Sequence, residues 1–174
     1  MAESMWQGCG GGGAGARSRG FTLMELLITV GILAILAAIA IPSYSAYVVR
    51  GQRASAKVVL LQTAQSLERY YTANGAYLTN AGALPLAPVG GTATCLALAP
   101  VDAGISTYCV TGAASATGGF TLSATPCGDA AGLCPASANN SYTDSGCDVL
   151  TIDNSGLKGI AGSPSLSSDE CWQH

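Results

Sequence analysis

The chain has one histidine, His174, and no Cys-x-x-Cys pair among its seven cysteines. Structural zinc sites draw on such pairs or on several histidines, so a zinc centre is excluded. With no second histidine there is no Ser-His-acid triad, and no pair of carboxylates sits inside an apolar pattern that would tune one of them for proton transfer. The glycine-rich stretch from Gly8 to Gly13 is followed by no Gly-Lys-Ser/Thr and preceded by no strand pattern, which removes a phosphate loop. Asp144, Asp148 and Asp153 do not have the spacing of an EF-hand loop and read as solvated surface acids. The expectation is a structural protein and not an enzyme, with no catalytic residue, metal or cofactor.

Charge is missing from one long stretch. Between Phe21 and Ile41 there is no Lys, Arg, Asp, Asn, Gln or Pro, and Glu25 is the only charged residue. As a helix, this run is about 30 Å long, enough to cross the hydrocarbon core of a bilayer. A lone carboxylate deep in such a segment costs roughly 2 to 3 kcal/mol, so Glu25 calls for a countercharge. Arg17 and Arg19 lie just before the run and, by the positive-inside rule, hold the first residues in the cytoplasm. Two plainer readings compete. In one, the run is an ordinary anchor and Glu25 snorkels to the headgroups. In the other, it is a secretory signal cut after Ala38-Ile39-Ala40, which releases a domain starting near Ile41.

Gly20 followed by Phe21-Thr22-Leu23, then Glu25 and the apolar residues Leu26 to Ile41, resembles the class III signal of type IV prepilins of the PilE type. That resemblance implies cleavage after Gly20 by a prepilin peptidase, methylation of the new N-terminal Phe21 by the same enzyme, and pairing of Glu25 with the N-terminal amine of a neighbouring subunit. An ammonium created by cleavage would make the buried carboxylate tolerable. Ile41-Pro42-Ser43-Tyr44 is also similar to pilins, and Pro42, which offers no backbone donor, is expected to kink the helix. Tyr70 to Tyr77, Phe120 to Pro126, Leu150 to Gly156 and the terminal Cys171-Trp172 resemble later parts of the same chains.

The partners so implied are other pilins in a homo-oligomeric filament, the peptidase, and the inner membrane before assembly. The implied location is a surface pilus serving adhesion, twitching motility or DNA uptake. A minor pilin or a secretion-system pseudopilin shares the same N-terminal machinery. A membrane-anchored or secreted binding module is the alternative of another class.

Without residues 1–20 the chain holds five basic and nine acidic residues, a net charge of −4. Four bases, Arg50, Arg53, Lys57 and Arg69, precede residue 70, whereas from Asn74 onward seven acids face only Lys158. A basic stem and an acidic head suit head-to-stem contacts between subunits and do not indicate nucleic acid across the head. Cys9 falls in the leader, which leaves Cys95, Cys109, Cys127, Cys134, Cys147 and Cys171, an even set suited to an oxidising compartment. Large apolar residues are sparse in the head, so disulfides would offset a thin core. Six cysteines allow fifteen connectivities. Sequential pairing, Cys95 with Cys109, Cys127 with Cys134 and Cys147 with Cys171, is expected because each bridge then closes one loop.

The expected fold is α+β: a long N-terminal helix, half membrane-spanning and half amphipathic, on a small antiparallel sheet stapled by disulfides. Residues 1–20 are a leader, 21–42 the transmembrane and filament-core helix, 43–73 the amphipathic helix, 74–104 a connecting loop, and 105–174 the sheet with a disulfide-bounded C-terminal loop. Ala54, Val58, Leu61, Ala64, Leu67 and Tyr71 recur at threes and fours and are expected to face the sheet. Asn74-Gly75 ends the helix. Strands are expected at 105–111, 120–124 and 149–152, with a short fourth at 157–160. Cys127 to Cys147 reads as an exposed polar insertion, and Trp172 as packing over the last bridge.

Overall fold

The computed structural model describes residues 21–79, 82–89, 95–101, 104–115, 118–130 and 132–173. Gly20, Arg17, Arg19, Cys9 and His174 lie outside them. Two compact units result, one ending at Pro42 and the other beginning at Ser43. Helix α1 (Leu23–Asn74) contributes to both, and Pro42 lies inside it.

In the second unit, β1 (Ala97–Ala99), β2 (Tyr108–Ala114), β3 (Phe120–Pro126), β4 (Val149–Asp153) and β5 (Lys158–Ala161) pair antiparallel in chain order, and α2 (Ser168–Gln173) closes the chain. The period of two decides which face is covered. In β3, Phe120, Leu122, Ala124 and Pro126 are buried while Thr121, Ser123 and Thr125 are not. Register carries that face across the sheet, since Val110 pairs with Ala124, Ala124 with Leu150 and Leu150 with Ile160. These residues form one core with Ala56, Val59, Leu60 and Leu67 of α1. The α+β class expected from the sequence is the architecture observed.

Three details differ from the sequence reading. The covered face of α1 is Ala56, Val59, Leu60, Thr63 and Leu67, whereas Val58, Leu61 and Tyr71 of the expected stripe are exposed. Two faces with apolar residues at threes and fours lie side by side on this helix, and the sheet covers the one that includes a threonine. Thr63 tolerates burial because its hydroxyl donates to the Val59 carbonyl at 2.8 Å. Second, the stretch expected to be loop contains β1, whose three residues are too few to show an alternation. Third, the strand expected from residue 105 begins only at Tyr108, and β2 runs on to Ala114 and β3 to Pro126, because ladder pairing continues through weakly patterned residues.

The helix ends where expected. Gly75 takes a φ of +73° and donates to the Tyr71 carbonyl at 2.7 Å, a left-handed cap that a side chain would strain. The chain then turns back, stacking Tyr77 on Tyr71 at 4.4 Å and setting it edge-on to Phe120 at 5.0 Å. The Tyr77 hydroxyl donates to Glu68 at 2.8 Å. Burial and that carboxylate push its pKa up to about 12. Disulfides join Cys95 to Cys109, Cys127 to Cys134 and Cys147 to Cys171, with Cα atoms 5.6, 5.6 and 5.7 Å apart. Trp172 packs against the core, and its ring nitrogen donates to the Gly159 carbonyl at 2.9 Å, which ties α2 to β5.

Candidate functional site

At the start of α1 the sequence Thr22-x-x-Glu25 works as a cap. The Glu25 amide donates to the Thr22 hydroxyl oxygen at 3.2 Å, satisfying one of the donors that a helix leaves open in its first turn. The carboxylate of Glu25 therefore sits where the helix dipole favours negative charge. Phe21 stands just ahead of the helix, 82% exposed. The structure thus brings Phe21 and Glu25 to one helix end, whereas Gly20 lies outside the described residues.

Every residue of α1 from Leu23 to Pro42 is exposed. Leucines and isoleucines left in water cost roughly 1.5 to 3 kcal/mol each relative to burial, so over this length the segment needs lipid or other helices around it. One helix in the described chain is long and apolar enough to cross a membrane, and its apolar window is wholly uncovered. Pairs of small residues such as Ala34 and Ala38 would let a neighbouring helix approach closely.

The head holds a polar cluster that the sequence reading missed. Arg53 of α1 grips Asp144 with a two-pronged contact, Nε to Oδ2 and Nη2 to Oδ1, each 2.6 Å. Tyr108 of β2 donates to the same carboxylate at 2.7 Å, and the amides of Gly146 and Cys147 donate at 3.1 and 3.3 Å. Asp144 is only 2% exposed, which corrects its reading as a solvated acid and that of Cys127 to Cys147 as a wholly exposed insertion. Tyr142 from the same stretch packs edge-on to Tyr108 at 5.4 Å. A buried carboxylate needs this many donors, and the two that come from side chains, Tyr108 and Arg53, are 36 and 91 positions away.

The electrostatics follow from that packing. Burial alone would push the Asp144 carboxyl up, but the Arg53 fork and the Tyr108 hydroxyl outweigh it and hold the group below the ordinary carboxylate range. The hydrogen bond from Arg53 in turn raises the guanidinium. Burial, with the bond to Asp144, pushes the Tyr108 phenol far up. Lys57 is lowered by burial and by repulsion from Arg53 and Lys158. A side chain at Gly146 would have to displace the Arg53 guanidinium from its place on Asp144. The cluster has the features of a clamp: it holds the turn before Cys147 against the helix, and Cys147 carries the bridge to Cys171. Nothing in it is placed for bond chemistry, and among the described residues no cluster of His, Cys, Asp and Glu is arranged to hold a metal ion.

Two family profiles match the chain. Residues 15–41 match the prokaryotic N-terminal methylation motif, and residues 42–151 match the family described as type IV minor pilin ComP, DNA uptake sequence receptor. Among curated proteins, the type IV major pilin protein PilA of Myxococcus xanthus is 37% identical over 75 residues, 43% of this chain and 34% of that protein. The fimbrial protein EcpC of Eikenella corrodens is 40% identical over 74 residues, 42% of this chain and 48% of its own. The type IV wide pilus major component PilA4 of Thermus thermophilus is 33% identical over 93 residues, 53% of this chain and 71% of its own. The alignments with PilA and EcpC span about a third to a half of those two proteins.

Proposed function

Because the chain belongs to the type IV pilin family, we propose that it is a structural pilus subunit, stored in the inner membrane, cut after Gly20, methylated at Phe21 and polymerised with its helices inside a surface filament. The observation that carries this reading is the apolar part of α1: wholly uncovered, long enough to span a bilayer, and bearing one carboxylate in its first turn. Lipid covers such a helix before assembly and neighbouring helices cover it afterwards, so the exchange involves little net change in apolar burial. The N-terminal amine of a neighbouring Phe21 supplies the charge that Glu25 lacks. Adhesion and twitching motility are the activities this role would serve.

Mass analysis of the mature N-terminus tests the processing. The expected first residue is methylated Phe21; a chain starting at Met1 or near Ile41 would remove the premise. Glu25→Ala should leave cleavage and membrane insertion intact and lower the yield of sheared filaments severalfold. Wild-type yield from that variant would rule out the pairing role.

A second reading, a minor pilin that takes up DNA, is favoured by the match of residues 42–151 to a family described as a DNA uptake sequence receptor. Charge is distributed against it, since seven acids and one base lie beyond Asn74. DNA affinity rests on phosphate contacts by Lys and Arg and falls with salt. A salt-dependent gel shift by the purified chain, together with only trace abundance in sheared filaments, would establish the receptor reading; a dominant filament band without DNA binding would leave the major-subunit one.

A further inference from the structure

The face of α1 that the sheet leaves open in the head has its own regularity. Tyr44, Tyr47, Gly51, Ala54, Val58 and Leu61 follow one another at spacings of three and four, the repeat of a helix that packs along another helix. All six are exposed, Tyr44 and Tyr47 at 71% and Val58 at 53%. No charged residue interrupts them. Gly51 is unexplained by the fold of one chain. It has an ordinary helical conformation, and a side chain there would meet nothing within 4 Å. Glycine in a helix interior costs about 1 kcal/mol relative to alanine. Its use at the centre of an uncovered apolar seam is accounted for by close approach of something outside the chain.

The same spacing occurs in the apolar segment, at Leu23, Leu26, Val30, Leu33, Ala37 and Ala40, also exposed. Each set lies wholly on one side of Pro42, so the geometry at the proline does not enter. Building on the filament reading, we propose that the apolar segment of a second copy, parallel and staggered by 21 residues, is the occupant of the Tyr44–Leu61 seam. That stagger sets Val30 on Gly51 and Leu33 on Ala54, then Ala37 on Val58 and Ala40 on Leu61, so that each small residue receives a large one. Leu23 and Leu26 meet Tyr44 and Tyr47 at the other end. One heptad less would stack Ala37 on Gly51 and Ala40 on Ala54, leaving a gap. One heptad more would set Ala37 against Gln65 and Ala40 against Glu68, burying polar groups in an apolar contact. The strict three-four spacing also specifies a left-handed crossing. At 1.5 Å per residue the neighbour is displaced by about 31 Å along the helix.

Disulfide trapping between co-expressed Val30→Cys and Gly51→Cys chains tests the register. Oxidised, sheared filaments should give a crosslinked dimer from this pair and at least tenfold less from Val30→Cys with Val49→Cys, which lies at nearly the same height but off the seam. Gly51→Leu in the otherwise unchanged chain should lower filament yield at least tenfold while near-ultraviolet circular dichroism of the head is retained. Where the wild-type chain forms filaments, equal trapping from the two cysteine pairs, or full assembly of Gly51→Leu, would overturn the register and leave the pilin reading standing. A wild-type chain that forms no filament would overturn both.

Discussion

Asp144 shows how much one buried carboxylate can organise. Its oxygens accept from Arg53, Tyr108, Gly146 and Cys147, and so join the helix, the sheet and the turn that leads into a disulfide. Removing one partner of a buried pair leaves the other charge uncompensated, at a cost of about 3 to 5 kcal/mol. Asp144→Ala should lower the unfolding free energy by that amount in urea titrations of the full chain in detergent; a loss under about 1 kcal/mol would mean that the clamp is marginal. The residue types needed for this cluster were visible in the sequence, but their meeting was not. Arg53 and Asp144 are 91 positions apart, and nothing in the local pattern around either one names the other. The nearest signal is Gly146, whose lack of a side chain makes sense only once Arg53 lies over it.

At the scale of elements, periodicity in the sequence marks the inward face of β3 and did not identify the helix's. A strand has two faces, so alternation in Phe120-Thr121-Leu122-Ser123-Ala124 decides the matter. A helix can carry two apolar stripes, and α1 does: one through Ala56, Leu60 and Leu67 under the sheet, one through Ala54, Val58 and Leu61 facing outward. Truncation separates them. Leu60→Ala should cost about 2 to 5 kcal/mol of head stability through cavity formation. Val58→Ala should cost under about 0.5 kcal/mol, as a substitution away from the core. Equal losses in denaturant titrations would mean that the outward stripe is covered within the chain. The cap in the first turn needs no tertiary contact, because Thr22 and Glu25 meet through local spacing alone.

For the whole molecule, pH dependence follows from the clamp. The Asp144 pKa is lower folded than its ordinary unfolded value of about 3.9, so its contribution is fully present above that value and is lost as pH falls through the folded pKa. Thermal melts of the full chain should hold steady from pH 7 to about 5 and decline below about 4, and Asp144→Asn should flatten the decline. An unchanged acid slope in the variant would assign it to other carboxylates. The sequence alone was enough for the α+β class, the membrane-length apolar helix with its single acid, the helix stop at Gly75 and the inward face of β3. All of these rest on residues close in the chain, where spacing is geometry. Only the tertiary structure decided which stripe of α1 the sheet covers and that Asp144 is buried against Arg53. Those outcomes depend on contacts across tens of residues, where a linear pattern admits several answers and packing selects one.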